Sequence, residues 1–227
     1  MALIKKLLAF RDPRRAVSES LHRQAIERAR LDPMQSAKAG SRELVRLVAE
    51  QLKSRGDTRP ESLLCALGAL AGFACQVSAR TNAFAHGMPE RDRMAEDLSL
   101  LLFGMEMSVW GLVAGAARHH GSTEFVEPTE IWCHVAKTVK SAEFGVPRLP
   151  PQHMPRDLPA DYLRLFWPML KPVIVRYCSN PAHWPVMCAL SLQHAMELGQ
   201  DRLEAGMAMR VALESALPMA RIHADFS

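Results

Sequence analysis

The sequence predicts an all-α protein, and three observations support this prediction. Residues with high helix propensity, above all Leu, Ala, Met, Glu and Arg, dominate the chain. No stretch of four to eight residues alternates apolar and polar side chains, which is the pattern of a half-buried strand. Hydrophobic residues make up 48% and charged residues 23%, which excludes a disordered chain. We therefore expect an irregular multi-helix bundle of about eight or nine helices around two central Gly/Ala-rich helices.

Three helices are expected at the N-terminal end. An amphipathic helix covers residues 2–10, and Asp12–Pro13 separates it from a second helix that ends near Leu31. The third runs from about Ser41 to Ser54 and is closed by a turn at "RGD".

Charge is concentrated in the same region. The first 60 residues hold 14 Lys and Arg against 7 Asp and Glu, whereas the whole chain has a net charge of +4. The bases are mixed with acids along predicted helices and are not interleaved with aromatic residues. This pattern favours a solvated helical face, so we expect no nucleic-acid partner.

Residues 62–79, "SLLCALGALAGFACQVSA", form the first predicted central helix. The segment has no charge and just reaches the length of a membrane span. Its small residues and Gln76 contribute little to insertion, however, and a helix that is apolar on several faces is typical of a core. Gly68 and Gly72 each cost about 1 kcal/mol in a helix relative to Ala. We expect close approach by a neighbouring helix to offset that cost.

Residues 98–117, "LSLLLFGMEMSVWGLVAGAA", are predicted as the second central helix and as that neighbour. Gly111 and Gly115 lie four apart, the spacing that permits tight helix crossings. Glu106 lies mid-segment and would be costly in lipid, so no membrane span is expected here. We accordingly expect Gly72→Leu and Gly115→Leu each to cost several kcal/mol through overpacking.

The other helices are predicted from start and stop signals. These signals are a capping box at Thr58 and Glu61, a left-handed Gly121, a start at Pro128, the internal Pro168 and Pro172 that kink or divide a helix, a stop at Gly199, and caps at Asp201 and Glu204.

Residues 147–159, "PRLPPQHMPRDLP", contain five prolines and predict an extended connection. We place there the boundary between an N-terminal helical lobe, residues 1–146, and a C-terminal helical lobe, residues 160–227, within one compact domain.

The five cysteines form no CxxC motif and lie mostly in apolar runs. An odd number of apolar cysteines predicts reduced thiols, not a disulfide framework. The start of the chain lacks the features of a secretory signal. We therefore expect a cytoplasmic protein.

Six side chains are candidates for a buried polar site or a pocket. Gln76, Glu106 and His194 interrupt apolar runs, and burial without partners would cost free energy, so each must be paired or line a cavity. A satisfied core network is the alternative interpretation. His134 follows Glu130 by four positions, but HExxH is absent, so no metal or cofactor is expected. The remaining two candidates are Trp167 and Trp184, which flank prolines and either wall a pocket or pack in the core.

Four segments carry a resemblance to a known family. "GALAGFACQ", "EFGVPRLPP", "LPADYLRLFWP" and "NPAHWPVM" resemble segments of a family of uncharacterised proteobacterial proteins, over most of the chain from about residue 60 onward. That family has no assigned activity. The resemblance implies a bacterial cytoplasmic protein and no catalytic residue.

Two functions remain open. The sequence contains no GxSxG, P-loop or GxGxxG motif, which favours an interaction or small-ligand-binding protein that self-associates. The alternative is an enzyme with a site built from Glu106, His194 and His134 in the helical core. The helix of residues 2–10 is too short to be stable alone, so we expect it to dock, and we expect a homodimer to which it contributes contacts.

Overall fold

The computed structural model describes residues 32–86, 90–104 and 106–222, and every regular element in these residues is helical. The all-α prediction is confirmed. A π-helical turn lies at Leu100–Gly104, and 3-10 turns lie at Pro151–His153 and Pro181–His183. The α-helices are α1 Pro33–Ser54, α2 Pro60–His86, α3 Glu90–Ser99, α4 Val109–His119, α5 Pro128–Thr138, α6 Pro159–Tyr177, α7 Trp184–Gly199 and α8 Ala205–Met219.

The total number of helices stays a prediction. The two helices expected over residues 2–10 and between Pro13 and Leu31 lie outside the described residues. The described helices pack into one bundle with a continuous hydrophobic core.

α2 lies in the middle of the bundle, in contact with α1, α3, α6, α7 and α8. Two segments, Pro60–Asn82 and Met94–His119, are long and apolar enough to cross a membrane by length and composition alone. The first is 89% buried and the second 47% buried over their apolar windows. Burial of α2 among other helices is what a core helix shows. The cytoplasmic location stays a prediction.

The close approach predicted at the α2 glycines is confirmed, but the predicted neighbour is wrong. α8, not the segment 98–117, crosses α2 at these positions. A Cβ atom on Gly68 would lie 2.7 Å from the carbonyl oxygen of Ala212, and one on Gly72 would overlap the carbonyl oxygen of Ala216. Only glycine leaves room there for the α8 backbone.

The segment 98–117 is not one helix. After α3 the π-helical turn ends at Gly104, and α4 begins at Val109, where the Ser108 hydroxyl accepts a hydrogen bond from the Gly111 amide at 3.1 Å. A Cβ atom on Gly115 would meet nothing within 4 Å. The prediction that Gly115→Leu overpacks a helix crossing is therefore wrong, because none of the described helices crosses α4 at this position.

α1 begins at Pro33 rather than near Ser41. Asp32 caps it: one carboxylate oxygen accepts hydrogen bonds from the amides of Met34 and Gln35 at 2.9 and 3.4 Å. Asp32–Pro33, which directly follows the predicted end of the second helix near Leu31, is thus the start of α1. The Ser36 hydroxyl then donates to the Tyr177 carbonyl and fixes this end of α1 against the end of α6.

The predicted capping box at Thr58 is wrong. In the loop before α2 the Asp57 carboxylate accepts from the Arg59 amide at 3.1 Å, while Glu61 Oε1 lies 3.0 Å from His153 Nδ1. At α8 the predicted cap at Glu204 is confirmed, because Glu204 accepts from the amides of Gly206 and Met207, whereas Asp201 lies in the turn before α8 and is not its cap. Gly121 has the predicted left-handed conformation, with φ of 83°.

We expected Pro168 and Pro172 to kink or divide a helix; α6 continues through both, so division is wrong and a kink stays a prediction. Both prolines are exposed. Each lacks the N–H that would bond the carbonyl four residues earlier, and on the exposed side those carbonyls can be hydrated.

The proline-rich segment 147–159 is mainly non-helical, as expected, and is anchored on the start of α2. The Arg156 amide donates to the Ser62 hydroxyl at 3.2 Å, and Arg59 Nη1 donates to the Met154 carbonyl at 3.1 Å. A division of the chain into two lobes at this segment stays a prediction.

Candidate functional site

Gln76, the first candidate, makes hydrogen bonds that connect two helical segments of the fold. It is 2% exposed, and its Nε2 donates to the carbonyl oxygens of Ala220 and Ile222 at 3.2 and 2.9 Å. These carbonyls follow α8 and have no helical donor. Gln76 Nε2 therefore ties the end of α8 to α2, a structural role, while Gln76 Oε1 is buried with no hydrogen-bond partner among the described residues.

The residues of the enzyme hypothesis do not form a buried constellation. Glu106 is exposed in the turn before α4, and His134 and His194 are half-buried on α5 and α7. The expected burial of Glu106 is wrong because the helix breaks where that residue lies. His194 Nδ1 lies 3.6 Å from Glu197 Oε2 of its own helix. Within the described part of the chain, no group of three or more His, Cys, Asp or Glu side chains is placed to hold a metal ion.

Trp167 and Trp184 are core residues, 3% and 5% exposed. Their ring centroids lie 5.9 Å apart, and Phe73 packs edge-on against Trp167 at 4.8 Å. Trp184 Nε1 donates to the Cys178 carbonyl at 2.7 Å, which satisfies its one polar group. They support the core alternative rather than a pocket wall.

A buried carboxylate that we did not predict lies on α8. Glu214 is 1% exposed, its Oε1 lies 3.1 Å from Arg148 Nη2, and its Oε2 accepts from the Arg148 amide at 3.3 Å. The pair holds the start of the proline-rich segment against α8. A lone acid in the apolar run "RVALESALPMA" was the available signal, the same signal that drew attention to Glu106.

The most ligand-like feature is a cavity of about 270 Å³ where the ends of α1 and α7 meet the start of α2. We call it the α1–α2–α7 cavity. Its wall is mainly apolar, and Leu198 at its edge is 67% exposed, the highest exposure among the large hydrophobic residues described. The Pro60 ring lies within contact distance of Gly199 and joins α2 to α7 there. The apolar lining residues are Ala49, Leu52, Pro60, Leu63, Ala195 and Leu198.

Polar groups line the remaining wall of the cavity: Lys53, Asp57, Thr58, Arg59 and Arg202. Arg202 Nη1 donates to the Thr58 carbonyl at 3.0 Å, which holds the guanidinium beside the cavity. Arg59 pairs with Asp57, whereas Lys53 and Arg202 have no carboxylate partner within 4 Å among the described residues. The cavity thus combines an apolar wall with two uncompensated cations.

Asp57 organises the loop that frames the cavity. Burial raises the pKa of its carboxyl, but the Ser62 hydroxyl and the backbone and guanidinium of Arg59 lower it more strongly, so the net pKa lies below its usual value. The group is therefore an anion at neutral pH. It fixes Arg59, which in turn holds the proline-rich segment at the Met154 carbonyl.

A second cavity, about 1000 Å³, lies between the end of α4 and the turn from α7 to α8. Three carboxylates line it: Glu197, Asp201 and Glu204. Glu204 caps α8 and Glu197 faces His194, so two of the three are already engaged by the fold.

The described cysteines are free thiols, and Cys133 alone among them is exposed. Burial raises the pKa of Cys65 to about 12 and that of Cys178 to about 11, and it raises the pKa of Cys75 and Cys188 as well. A thiol that stays protonated is a poor nucleophile, so the buried cysteines pack as small apolar residues.

None of the six candidate residues lines either cavity. Sequence reasoning missed the α1–α2–α7 cavity because its residues come from three separate helix ends, each with an ordinary pattern.

Comparison of the chain with protein-family models, with curated proteins and with solved structures finds no match. The resemblance to uncharacterised proteobacterial proteins stays a prediction, and the function is argued from the cavity itself.

Proposed function

We propose that the protein binds a small amphipathic anion, a carboxylate with an apolar tail, in the α1–α2–α7 cavity. One observation carries the proposal: an apolar wall lies beside two cations, Lys53 and Arg202, that have no carboxylate partner among the described residues. A few convergent polar groups on a mainly apolar pocket are typical of small-molecule sites.

Each part of such a ligand has a complementary surface. The tail covers the half-buried Leu63 and the exposed Leu198 beside the buried Leu52, which contributes about 25 cal/mol per Å² of apolar surface removed from water. The carboxylate accepts charge-assisted hydrogen bonds from Lys53 and Arg202. A volume of about 270 Å³ limits the ligand to a short or medium chain.

Isothermal titration calorimetry with octanoate tests the proposal. Octanoate should bind, whereas octylamine, with the same tail and the opposite charge, should not. The double variant Lys53→Gln/Arg202→Gln should bind octanoate at least about tenfold more weakly, because it lacks both head-group partners.

The matched control is Lys137→Gln/Lys140→Gln, which removes the same charge from exposed positions at the end of α5 and beyond. It should bind octanoate as the wild type does. Equal binding of octylamine, equal loss in both double variants, or no octanoate binding would contradict the proposal.

A further inference from the structure

One side of α6 is exposed and apolar along its middle. We call it the α6 face and define it by Leu165, Pro168, Met169, Pro172 and Val175. Leu165, Met169 and Val175 are 36%, 38% and 42% exposed, and both prolines are exposed as well. Their spacing of three and four residues places them on one helix face. The described helices leave this face uncovered.

Charges flank the α6 face and differ at its two ends. Asp161 lies in the first turn of α6 and Arg176 in the last, and both are exposed. Arg164 and Lys171 lie along the same exposed side, with Arg164 Nη1 2.9 Å from Asp161 Oδ1. The face is thus acidic only at its start and basic along its length and at its end.

We infer that the α6 face is the interface of a twofold dimer, in which α6 of one copy packs antiparallel on α6 of a second copy. A twofold axis between Pro168 and Met169 places Leu165 against Pro172 of the partner subunit. The same axis places Asp161 against Arg176 of the partner subunit, and symmetry repeats this pair. The apolar middle and both charged ends are therefore complementary to themselves in one register.

A second copy fits this face better than the N-terminal segment of the same chain does. Residues 1–31 carry eight Lys and Arg against three Asp and Glu. Arg164, Lys171 and Arg176 would repel such a segment along most of the face. An antiparallel copy also brings its own Arg164 and Lys171, but it pairs opposite charges at both ends. The dimer does not depend on the ligand proposed above, since none of these residues lines the α1–α2–α7 cavity.

The size of the face sets the expected affinity. Residues 161–176 span about 22 Å of helix, at 1.5 Å per residue. A contact between two such helices falls below the roughly 1,200 Å² of total buried surface that stable interfaces exceed. The dimer should accordingly be weak and concentration-dependent, with a Kd of about 10 to 100 μM.

Sedimentation equilibrium of the full chain tests the inference, at concentrations up to about 200 μM to cover that range. The wild type should show a monomer–dimer equilibrium. Met169→Glu should be monomeric with an unchanged circular dichroism spectrum, because it places a charge in the apolar middle. Leu198→Glu, an equally drastic change at an exposed leucine outside α6, should dimerise as the wild type does.

Charge reversal tests the antiparallel register. Asp161→Arg and Arg176→Asp should each weaken self-association, because each puts like charges in contact twice. The double variant Asp161→Arg/Arg176→Asp should restore the dimer, and a mixture of the two single variants should form a heterodimer.

Three outcomes would overturn the inference. One is a wild-type chain that stays monomeric throughout the concentration range, even if it binds anionic phospholipid vesicles in a flotation assay. Another is equal loss of the dimer in Met169→Glu and Leu198→Glu. The third is failure of the charge-reversed double variant to recover the dimer.

Discussion

Replacing Gly72 by alanine tests the crossing of α2 and α8. The added methyl group would overlap the Ala216 carbonyl oxygen, which belongs to the backbone of α8 and cannot turn aside as a side chain can. Overpacking of this kind costs up to about 3 kcal/mol. Alanine also has a helix propensity about 1 kcal/mol better than glycine, which offsets part of the loss. We expect Gly72→Ala to lower the free energy of unfolding by about 2 kcal/mol.

Gly115→Ala is the matched control, because a Cβ atom there would meet nothing within 4 Å. Only the propensity difference acts at this position, so the variant should gain up to about 1 kcal/mol. Urea unfolding followed by circular dichroism measures both variants. A Gly72→Ala protein as stable as the wild type, or a Gly115→Ala protein less stable than Gly72→Ala, would refute the close contact of α2 with α8.

Three further predictions concern buried and exposed polar groups. Arg148→Ala should lower the free energy of unfolding by about 3 kcal/mol, because it leaves the Glu214 carboxylate buried without its cation. Arg164→Ala, which breaks the exposed pair with Asp161, should lower it by less than about 1 kcal/mol in the same urea assay. Asp57→Asn should destabilise by up to about 1 kcal/mol at pH 7, because it keeps the acceptor oxygen but removes the charge that pairs with Arg59. Because the folded pKa of Asp57 is lowered, this difference should persist above the unfolded pKa of about 3.9 and fade as pH drops through the folded value. Of the five thiols, Cys133 alone should react rapidly with an aromatic disulfide reagent in the native protein, and all five should react in denaturant; fast native reaction of a second thiol would contradict the burial of the others.

The local patterns predicted the helical class and several element ends because those signals act within a few residues. Gly121 and the Glu204 cap are examples. Asp32–Pro33 shows the weakness of the same signals: an Asp-Pro pair is compatible with the end of one helix or the start of the next, and the pattern alone did not say which role it has. Its capping hydrogen bonds to α1 decide the matter.

Contacts between segments that are distant in the chain could not be predicted from local sequence patterns. The pattern indicated that Gly68 and Gly72 receive a close neighbour, but α8 lies more than 130 residues away and has no paired glycines to reveal it. Glu106 and Glu214 are both lone acids in apolar runs, yet one is exposed and the other buried. The difference is that Glu106 lies in the turn between two helices, whereas α8 continues past Glu214 into the core.

The binding cavity depends on the same kind of long-range assembly. Lys53 and Arg202 are unremarkable surface cations in the sequence, and they become neighbours of one apolar cavity only when the ends of α1 and α7 meet the start of α2.

Methyl-resolved nuclear magnetic resonance of the full chain during titration with octanoate tests the central claim most directly. The proposal predicts saturable shifts of the methyl groups of Leu52, Leu63, Ala195 and Leu198, which line the α1–α2–α7 cavity. The methyl groups of Leu165 and Val175 on the α6 face should stay unchanged when protein concentration is held constant. Saturable shifts at Leu165 and Val175 alone, or no saturable shift at the cavity methyl groups, would contradict binding in the cavity.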